Sequence, residues 1–241
     1  METTDCLTRD AWLTGLIGKA AYRARSDDKA LDELGDRLSA LRPGPAFVYA
    51  KIPALDLDAS IRLQKLGFVV VECSLLFTRP LQGNATPGSD ITVREAEPGD
   101  RDAVADIAAR NFVYSRFHLD PRFDNAVANR IKQEWTLSYF SGRRGDAMVV
   151  AETNGEVAGF LMLLSQSEAT LTIDLIAVDR NHHRKGVASG LIAFAQSLPG
   201  GWQRMRVATQ SANRPSVRFY ENCGFRLDSA GYVLHLHTDE G

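Results

Sequence analysis

Three groups of residues in this chain have the types and spacing to do chemistry. His183, Arg184, Lys185, Gly186, Val187 and Ala188 follow an apolar strand-like segment, Leu171 to Val178. They open a helical one, Val187 to Leu198, in which Val187, Leu191, Phe194 and Leu198 share a face. A strand, a basic loop with a glycine, and a helix make an anion site. Glycine lets the backbone approach a phosphate, the first-turn N–H groups point at it, and the helix dipole adds roughly half a positive charge. Arg180, Arg184 and Lys185 add fixed charge; the bland alternative is an ordinary solvated cap. The second group is Asn213 and Tyr220, two helical turns apart on nearly one face, with Gly224 ending that helix and Phe225 returning to the core. Tyr220 could equally be core packing between Val217 and Cys223. The third is Glu72, alone in the apolar run Phe68 to Phe77, where a carboxylate is costly unless it has a partner or faces solvent on an edge strand.

These residues need a frame. Cys6 to about Ala24 carries Trp12, Leu13, Leu16, Ile17 and Ala20 at helical spacing, which predicts one helix. A second spans Lys29 to Leu41 and stops at Pro43-Gly44-Pro45. Ala46 to Ile52 reads as a strand, Leu57 to Leu66 as a helix begun by Asp56 and closed by Gly67, and Phe68 to Phe77 as a strand. Turn formers crowd Arg79 to Ser89, so the linker is placed at residues 81–89, between an N-terminal domain, 1–80, and a C-terminal one, 90–241. Beyond it come a strand (Ile91 to Ala96), a helix (Pro98 to Arg110), the polar knot Ser115 to Pro121 and a helix (Asn125 to Phe140). Asp146 to Glu152 and Glu156 to Leu164 then pair around Asn154-Gly155, a strong hairpin signal. Gln203 to Thr209 is the strand between the basic loop's helix and the tyrosine helix.

Composition narrows the class. With 241 residues and 44% hydrophobic content the chain can bury an ordinary core, as one large domain or two modest ones. A formal net charge of -2 argues against nucleic acid as a partner. Cys6, Cys73 and Cys223 are odd in number and lack ligand-like spacing, which suits a reducing compartment and predicts no metal. No charged-then-apolar leader and no long apolar run is present, so the expectation is a cytoplasmic protein, neither exported nor membrane-bound.

The two C-terminal segments resemble the signatures of the GNAT superfamily of CoA-dependent N-acyltransferases. One signature falls on His183, Gly186 and Ala188, the other on Asn213, Ser216, Phe219, Tyr220, Gly224 and Phe225; His183 and Ser216 depart from the family's usual residues. The resemblance implies an α/β (α+β) fold with a mixed, mostly antiparallel sheet flanked by helices, and acetyl-CoA or another acyl-CoA as co-substrate. It implies CoA contacts at Ile176, Ala177, Val178, His183 to Ala188, Asn213 and Tyr220. Backbone N–H groups around Leu175 to Val178 would serve the oxyanion, where the family's strands splay and carry a bulge. Acyl transfer to an amine also needs an acid for the leaving thiolate and a route for the amine's proton. A thiol titrates near 8.5 and a phenol near 10, so Tyr220 is protonated at neutral pH and is the expected general acid. Glu72 is the expected base.

A narrower resemblance covers the chain from about Phe47 onward. Leu63 to Glu72, the Phe112 to Phe117 run, and Val207 to Gln210 followed by Asn213 and Tyr220 are similar to the TDP-fucosamine acetyltransferase group. That resemblance implies a TDP-amino sugar as acceptor, a half-fold before the catalytic domain, and a homodimer as a plausible state. It turns Glu72 towards the sugar amine and sets Ser115, Arg116, Phe117, His118 and Asp120 along the acceptor. Arg116 and His118 would meet diphosphate or hydroxyls, guanidinium being well matched to phosphate oxygens. The knot reads equally as a self-capping loop, with Asp120 before Pro121 as a turn starter. Setting Gly67 on Gly224 (224 minus 67, an offset of 157) places Asp56 on Asn213, Leu63 on Tyr220 and Phe68 on Phe225. Either strand–helix–strand units simply look alike, or the N-terminal part is a half-copy without phenol or basic loop, binding no CoA and walling the substrate cleft. Two other readings stay open: a GNAT enzyme acting on another small amine or a peptide N-terminus, and a non-catalytic CoA-binding module.

Overall fold

The computed structural model describes residues 5–41, 44–81, 91–167 and 169–238. Its elements run β1 (Leu7–Arg9), α1 (Ala11–Ile17), β2 (Ala20–Ala24), α2 (Asp28–Leu41), β3 (Ala46–Pro53), α3 (Leu57–Lys65) and β4 (Val69–Pro80). They continue with β5 (Thr92–Glu95), α4 (Arg101–Asn111), α5 (Arg116–Leu119), α6 (Asn125–Phe140), β6 (Ala147–Thr153), β7 (Glu156–Ser167) and β8 (Thr170–Val178). The last four are α7 (Val187–Ala195), β9 (Arg204–Gln210), α8 (Arg214–Asn222) and β10 (Arg226–Thr238). The strands form one sheet in the order β1-β2-β3-β10-β4-β9-β8-β7-β6-β5, mixed and mostly antiparallel, with β2–β3 and β8–β9 the parallel pairs. The C-terminal strand β10 inserts between β3 and β4, so the sheet is continuous through both halves of the chain.

Alternation along the strands sorts the apolar residues onto two faces. In β6, Val149 and Ala151 belong to the core shared with α7 and α8, and Met148 and Val150 to the core shared with α4 and α6. In β3, Val48 and Ala50 meet α2 and α3, whereas Phe47 packs with Leu13 of α1, Phe117 of α5 and Ile131 of α6. The hairpin between β6 and β7 forms at Asn154 (φ 54°) and Gly155 (φ 79°), as the sequence predicts, because a two-residue turn of this hand needs positive φ at both positions.

The single helix expected over Cys6 to Ala24 is instead strand, helix, strand. Gly18 at φ 72° ends α1, and Ala20 to Arg23 then pair with Ala46 to Tyr49, so sheet formation overrides the helical spacing beyond Ile17. The helix after the basic loop ends at Ala195, three residues short of Leu198. Arg79 and Pro80 belong to β4, paired with Met205 and Arg204; past Leu81 the linker lies outside the described residues, as does Pro43 of the Pro43-Gly44-Pro45 stop. Among the described residues no helix is long and apolar enough to cross a membrane.

Candidate active site

β8 and β9 pair only from Thr170 to Ile173 against Arg204 to Val207. Beyond that β8 bulges, with Asp174 left out of its register with β7, and the two strands part. The bulge sits one residue before the stretch in which the sequence places it. A bulged strand bends and twists more sharply, and here the bend opens the sheet. A cavity of about 650 Å³ fills the gap, with Asp174, Leu175 and Ile176 on one side and Ala208, Thr209 and Gln210 on the other. It also reaches Asn213, Ser216 and Tyr220 of the α8 region, and Glu72, Ser115, Arg116 and Lys132 on the β4, α5 and α6 side. The gap therefore joins the two faces of the sheet.

Asn213 caps α8: its side chain accepts from the Ser216 N–H at 3.3 Å. Tyr220 is buried at the cavity wall, its ring against Phe77, Phe219 and Phe225. Burial, with a smaller contribution from Cys223, pushes its phenol well above the usual range, so it stays protonated. Glu72 faces the same cavity. It is buried in the sheet interior, because β4 runs between β10 and β9; the edge-strand alternative is overturned. Burial raises its pKa, opposed by a hydrogen bond from the Gln210 side chain and by Lys51 and Arg116.

The basic loop lies outside this cavity, between β8 and α7. Arg184 (φ 62°) and Gly186 (φ 82°) are both left-handed, which turns successive N–H groups inward as a nest, and Gly186 takes the N-cap position of α7 with no side chain capping the helix. The first-turn N–H groups of Val187 and Ala188 thus stay open to an anion. His183 approaches the Val178 carbonyl with Nε2 at 3.0 Å, tying the loop back to the end of β8. Ile176 reaches the cavity; Ala177 and Val178 are paired with Phe160 and Gly159 of β7. Gly159 is needed for that approach: a Cβ there would stand 2.8 Å from the Ala177 carbonyl oxygen and 3.1 Å from Val187.

The polar knot divides. Ser115, Arg116 and Phe117 line the cavity, whereas His118 and Asp120 do not. His118 Nδ1 lies 2.6 Å from Ser115 Oγ and Nε2 2.9 Å from Asn129 Oδ1, so the ring donates to the amide, accepts from the hydroxyl and serves the loop itself. Asp120 Oδ2 accepts from His235 at 2.6 Å and His237 at 2.8 Å, and Oδ1 from the Arg122 N–H at 3.0 Å. Burial alone would raise the Asp120 pKa; the two imidazole donors outweigh it and hold the carboxyl far below the carboxylate range. Substrate contacts from His118 and Asp120 are therefore corrected to struts: one within the loop, one from the loop to β10. Asp120, His235 and His237 bring three potential metal-ligand atoms within 4.8 Å. Lys19 Nζ stands 3.0 Å from His237 Nδ1, which favours the tautomer donating Nε2–H to Asp120 and opposes the one that a metal on Nε2 requires.

Several cavity residues went unread in the sequence. Asp174 takes two hydrogen bonds from Arg144, at 2.6 and 2.7 Å, and one from Trp135 Nε1 at 2.9 Å, which pins the bulge to α6. Lys132 is buried on the same helix. The signals were there: a lone aspartate in the apolar run Leu171 to Val178, and a lysine in line with Ala128, Trp135 and Tyr139. Three polar atoms on cavity-lining residues, Asn111 Oδ1, Arg116 Nη1 and Thr172 Oγ1, are buried with no hydrogen-bond partner among the described residues.

A bulged, splayed sheet followed by a basic, glycine-opened helix start fits an acyl-CoA-dependent acyltransferase. Residues 103–225 match the model of the Acetyltransferase (GNAT) family, and the chain belongs to that family. It is 32% identical over 194 residues to the spore coat polysaccharide biosynthesis protein SpsD of Bacillus subtilis, an alignment that spans 79% of this chain and 66% of that protein. It is 25% identical over 191 residues to the dTDP-fucosamine acetyltransferase of Escherichia coli O6:H1, across 78% of this chain and 80% of that one. Among solved structures, a GCN5-related N-acetyltransferase from Sphaerobacter thermophilus superposes with a TM-score of 0.61 at 15% identity, covering 98% of this chain and 76% of that one. A tandem GNAT protein from the clavulanic acid biosynthesis pathway gives 0.62 at 10% identity, covering 93% and 77%. The structural likenesses speak for the fold alone.

Proposed function

We propose that this enzyme moves an acyl group, acetyl in the simplest case, from acyl-CoA to the amine of a TDP-linked amino-deoxy sugar by direct attack. The nest at Gly186 and the first turn of α7 hold the CoA pyrophosphate, and backbone N–H groups along Leu175 to Val178 receive the oxyanion. Tyr220 gives its proton to the departing sulfur while Glu72 takes one from the attacking nitrogen. Residues 1–80 serve as the acceptor wall of a catalytic domain spanning 90–241, supplying Lys51 and Glu72 to the cavity.

The observation that carries this reading is that Tyr220 and Glu72, on opposite faces of the sheet, line one cavity through the β8–β9 gap. Asn111 Oδ1 and Thr172 Oγ1 support a sugar, since unpaired buried polar atoms are costly and a polyhydroxylated acceptor supplies their partners. The name of one relative, dTDP-fucosamine acetyltransferase, specifies this class of substrate, and the name of the other places it in polysaccharide biosynthesis.

Mass spectrometry of acetyl-CoA incubations with a panel of TDP-amino sugars, amino acids and polyamines tests the acceptor: acetylated TDP-amino sugar is expected, and turnover of polyamines in its place would reject the reading. Glu72 tests the base. Burial raises its pKa, so the acid limb of the kcat/KM profile should lie above the ordinary carboxylate range, activity falling as pH drops through it. Glu72→Gln should remove that limb and depress the rate; a wild-type profile in the variant would move the base elsewhere.

A further inference from the structure

Among the described residues, five cationic side chains line the cavity, Lys51, Arg116, Lys132, Arg144 and Arg206, against two carboxylates, Glu72 and Asp174. Arg144 is committed to Asp174 by its two-pronged ion pair, so the other four share Glu72 and what that ion pair leaves of the Asp174 charge. Lys132 is the sharpest case. Its side chain is buried, its ammonium sits 4.9 Å from the Phe112 ring centroid and 4.7 Å from that of Trp135, and among the described residues no carboxylate comes within ion-pair distance. Arg116 lies across the faces of Tyr49 and Phe117, at 4.0 and 4.4 Å, and its Nη1 is buried with no partner among the described residues. An ammonium held among rings without a directly paired carboxylate is expensive, and ring quadrupoles offset only part of the cost. Such a group makes sense when its counter-charge arrives with the ligand.

We infer that Lys51, Arg116 and Lys132 form a second anion site, on the acceptor side of the β8–β9 gap and separate from the loop at Gly186, that takes the diphosphate of the acceptor. A nucleoside diphosphate sugar is doubly anionic at neutral pH and matches this excess of positive charge. The same field disfavours polyamines and other cationic acceptors and helps the acceptor amine shed its proton. The identity of the acceptor rests on the function proposed above; the anion site itself rests on the cavity. Lys132 gives the site a pH signature. Burial lowers its pKa to about 8; Asp174 on β8 and Glu72 on β4 oppose that shift, and Arg116 on α5 and Lys51 on β3 add to it. The ammonium loses its proton as pH rises through that value, so the grip on an anion should weaken above it, and binding near pH 8 should take up a proton.

Calorimetric titration of the full chain with TDP, thymidine and inorganic pyrophosphate, each with and without saturating CoA, tests this. TDP and pyrophosphate should bind with CoA present, thymidine should bind about tenfold or more weakly than TDP, and TDP affinity should fall between pH 7 and pH 9. Lys132→Met should cost about tenfold in TDP affinity, flatten that pH dependence and leave CoA affinity alone. Equal binding of thymidine and TDP, displacement of TDP by CoA, or a flat wild-type pH profile would each overturn the inference without recourse to any variant. If TDP binds as expected and no TDP-amino sugar is acetylated, the acceptor proposal fails while the anion site stands. If TDP-amino sugars turn over and Lys132→Met keeps wild-type TDP affinity, the reverse holds.

Discussion

In the N-terminal half, Asp56 caps α3 by accepting from the Ala59 N–H, Gly67 follows the helix at φ 95°, and the Phe68 N–H returns to the Leu63 carbonyl. In the C-terminal half Asn213 and Ser216, Gly224 at φ 81°, and Phe225 and Tyr220 repeat each of those contacts at the 157-residue offset. Strand pairing repeats as well. β10 lies on β3 with Gly231 opposite Pro53, as β4 lies on β9 with Ser74 opposite Gln210, and Ser74 meets Gly231 where the two copies join. Because the agreement extends to register, a general likeness among strand–helix–strand units does not account for it. The side chains then diverge. Leu63, fully buried, stands where the second copy has Tyr220, and α2 is entered through Asp27 and Asp28, with Asp27 accepting from the Ala30 N–H, where α7 is entered through Arg184, Lys185 and Gly186. An acidic helix start repels phosphate and a basic one attracts it. One backbone plan thus starts a helix through basic residues in one place and acidic residues in the other, and on the function proposed above the first serves as the cofactor cradle and the second as a wall.

That contrast should break most sharply at the Tyr220 and Leu63 pair. Tyr220→Phe should lower turnover about 100-fold, the scale of general-acid catalysis, with CoA affinity within a few-fold. Leu63→Ala should leave turnover of the folded enzyme intact and cost about 2–5 kcal/mol in a denaturant melt, the price of a cavity in a packed core. Full turnover in Tyr220→Phe would remove the acid from the account.

Much of this contrast was legible in the sequence, because caps, glycines and signature residues are local. The offset, the basic loop and Tyr220 could all be read from spacing. The insertion of β10 between β3 and β4 could not, since it is a long-range pairing with no local trace. Its effects were missed with it: Glu72 inside the sheet and His235 beside Asp120. The knot misled for a related reason. His118 and Asp120 have residue types suited to a sugar phosphate, but their partners, Asn129 and β10, are remote in sequence. Lys132 and Asp174 carry no local mark of a site, because a single charge in an apolar stripe reads with the stripe.

Smaller effects sharpen the same comparison. Gly186→Ala forces a side chain into a left-handed backbone, costing about 1–2 kcal/mol, and should raise the KM for acyl-CoA roughly tenfold. Gly67→Ala at the related φ should register only in thermal stability; a raised KM there would show that the first copy also handles cofactor. Least of all, Asp56→Ala and Asn213→Ala should each cost about 1 kcal/mol of stability through a lost helix cap, with acyl-CoA kinetics altered only in the second.

The most direct measurement is the stoichiometry of CoA binding to the full chain by titration calorimetry. With the proposed cradle at α7 and an acidic helix start at α2, one CoA per chain is the expected result. Two per chain, or one that survives with unchanged affinity in Gly186→Ala, would contradict it.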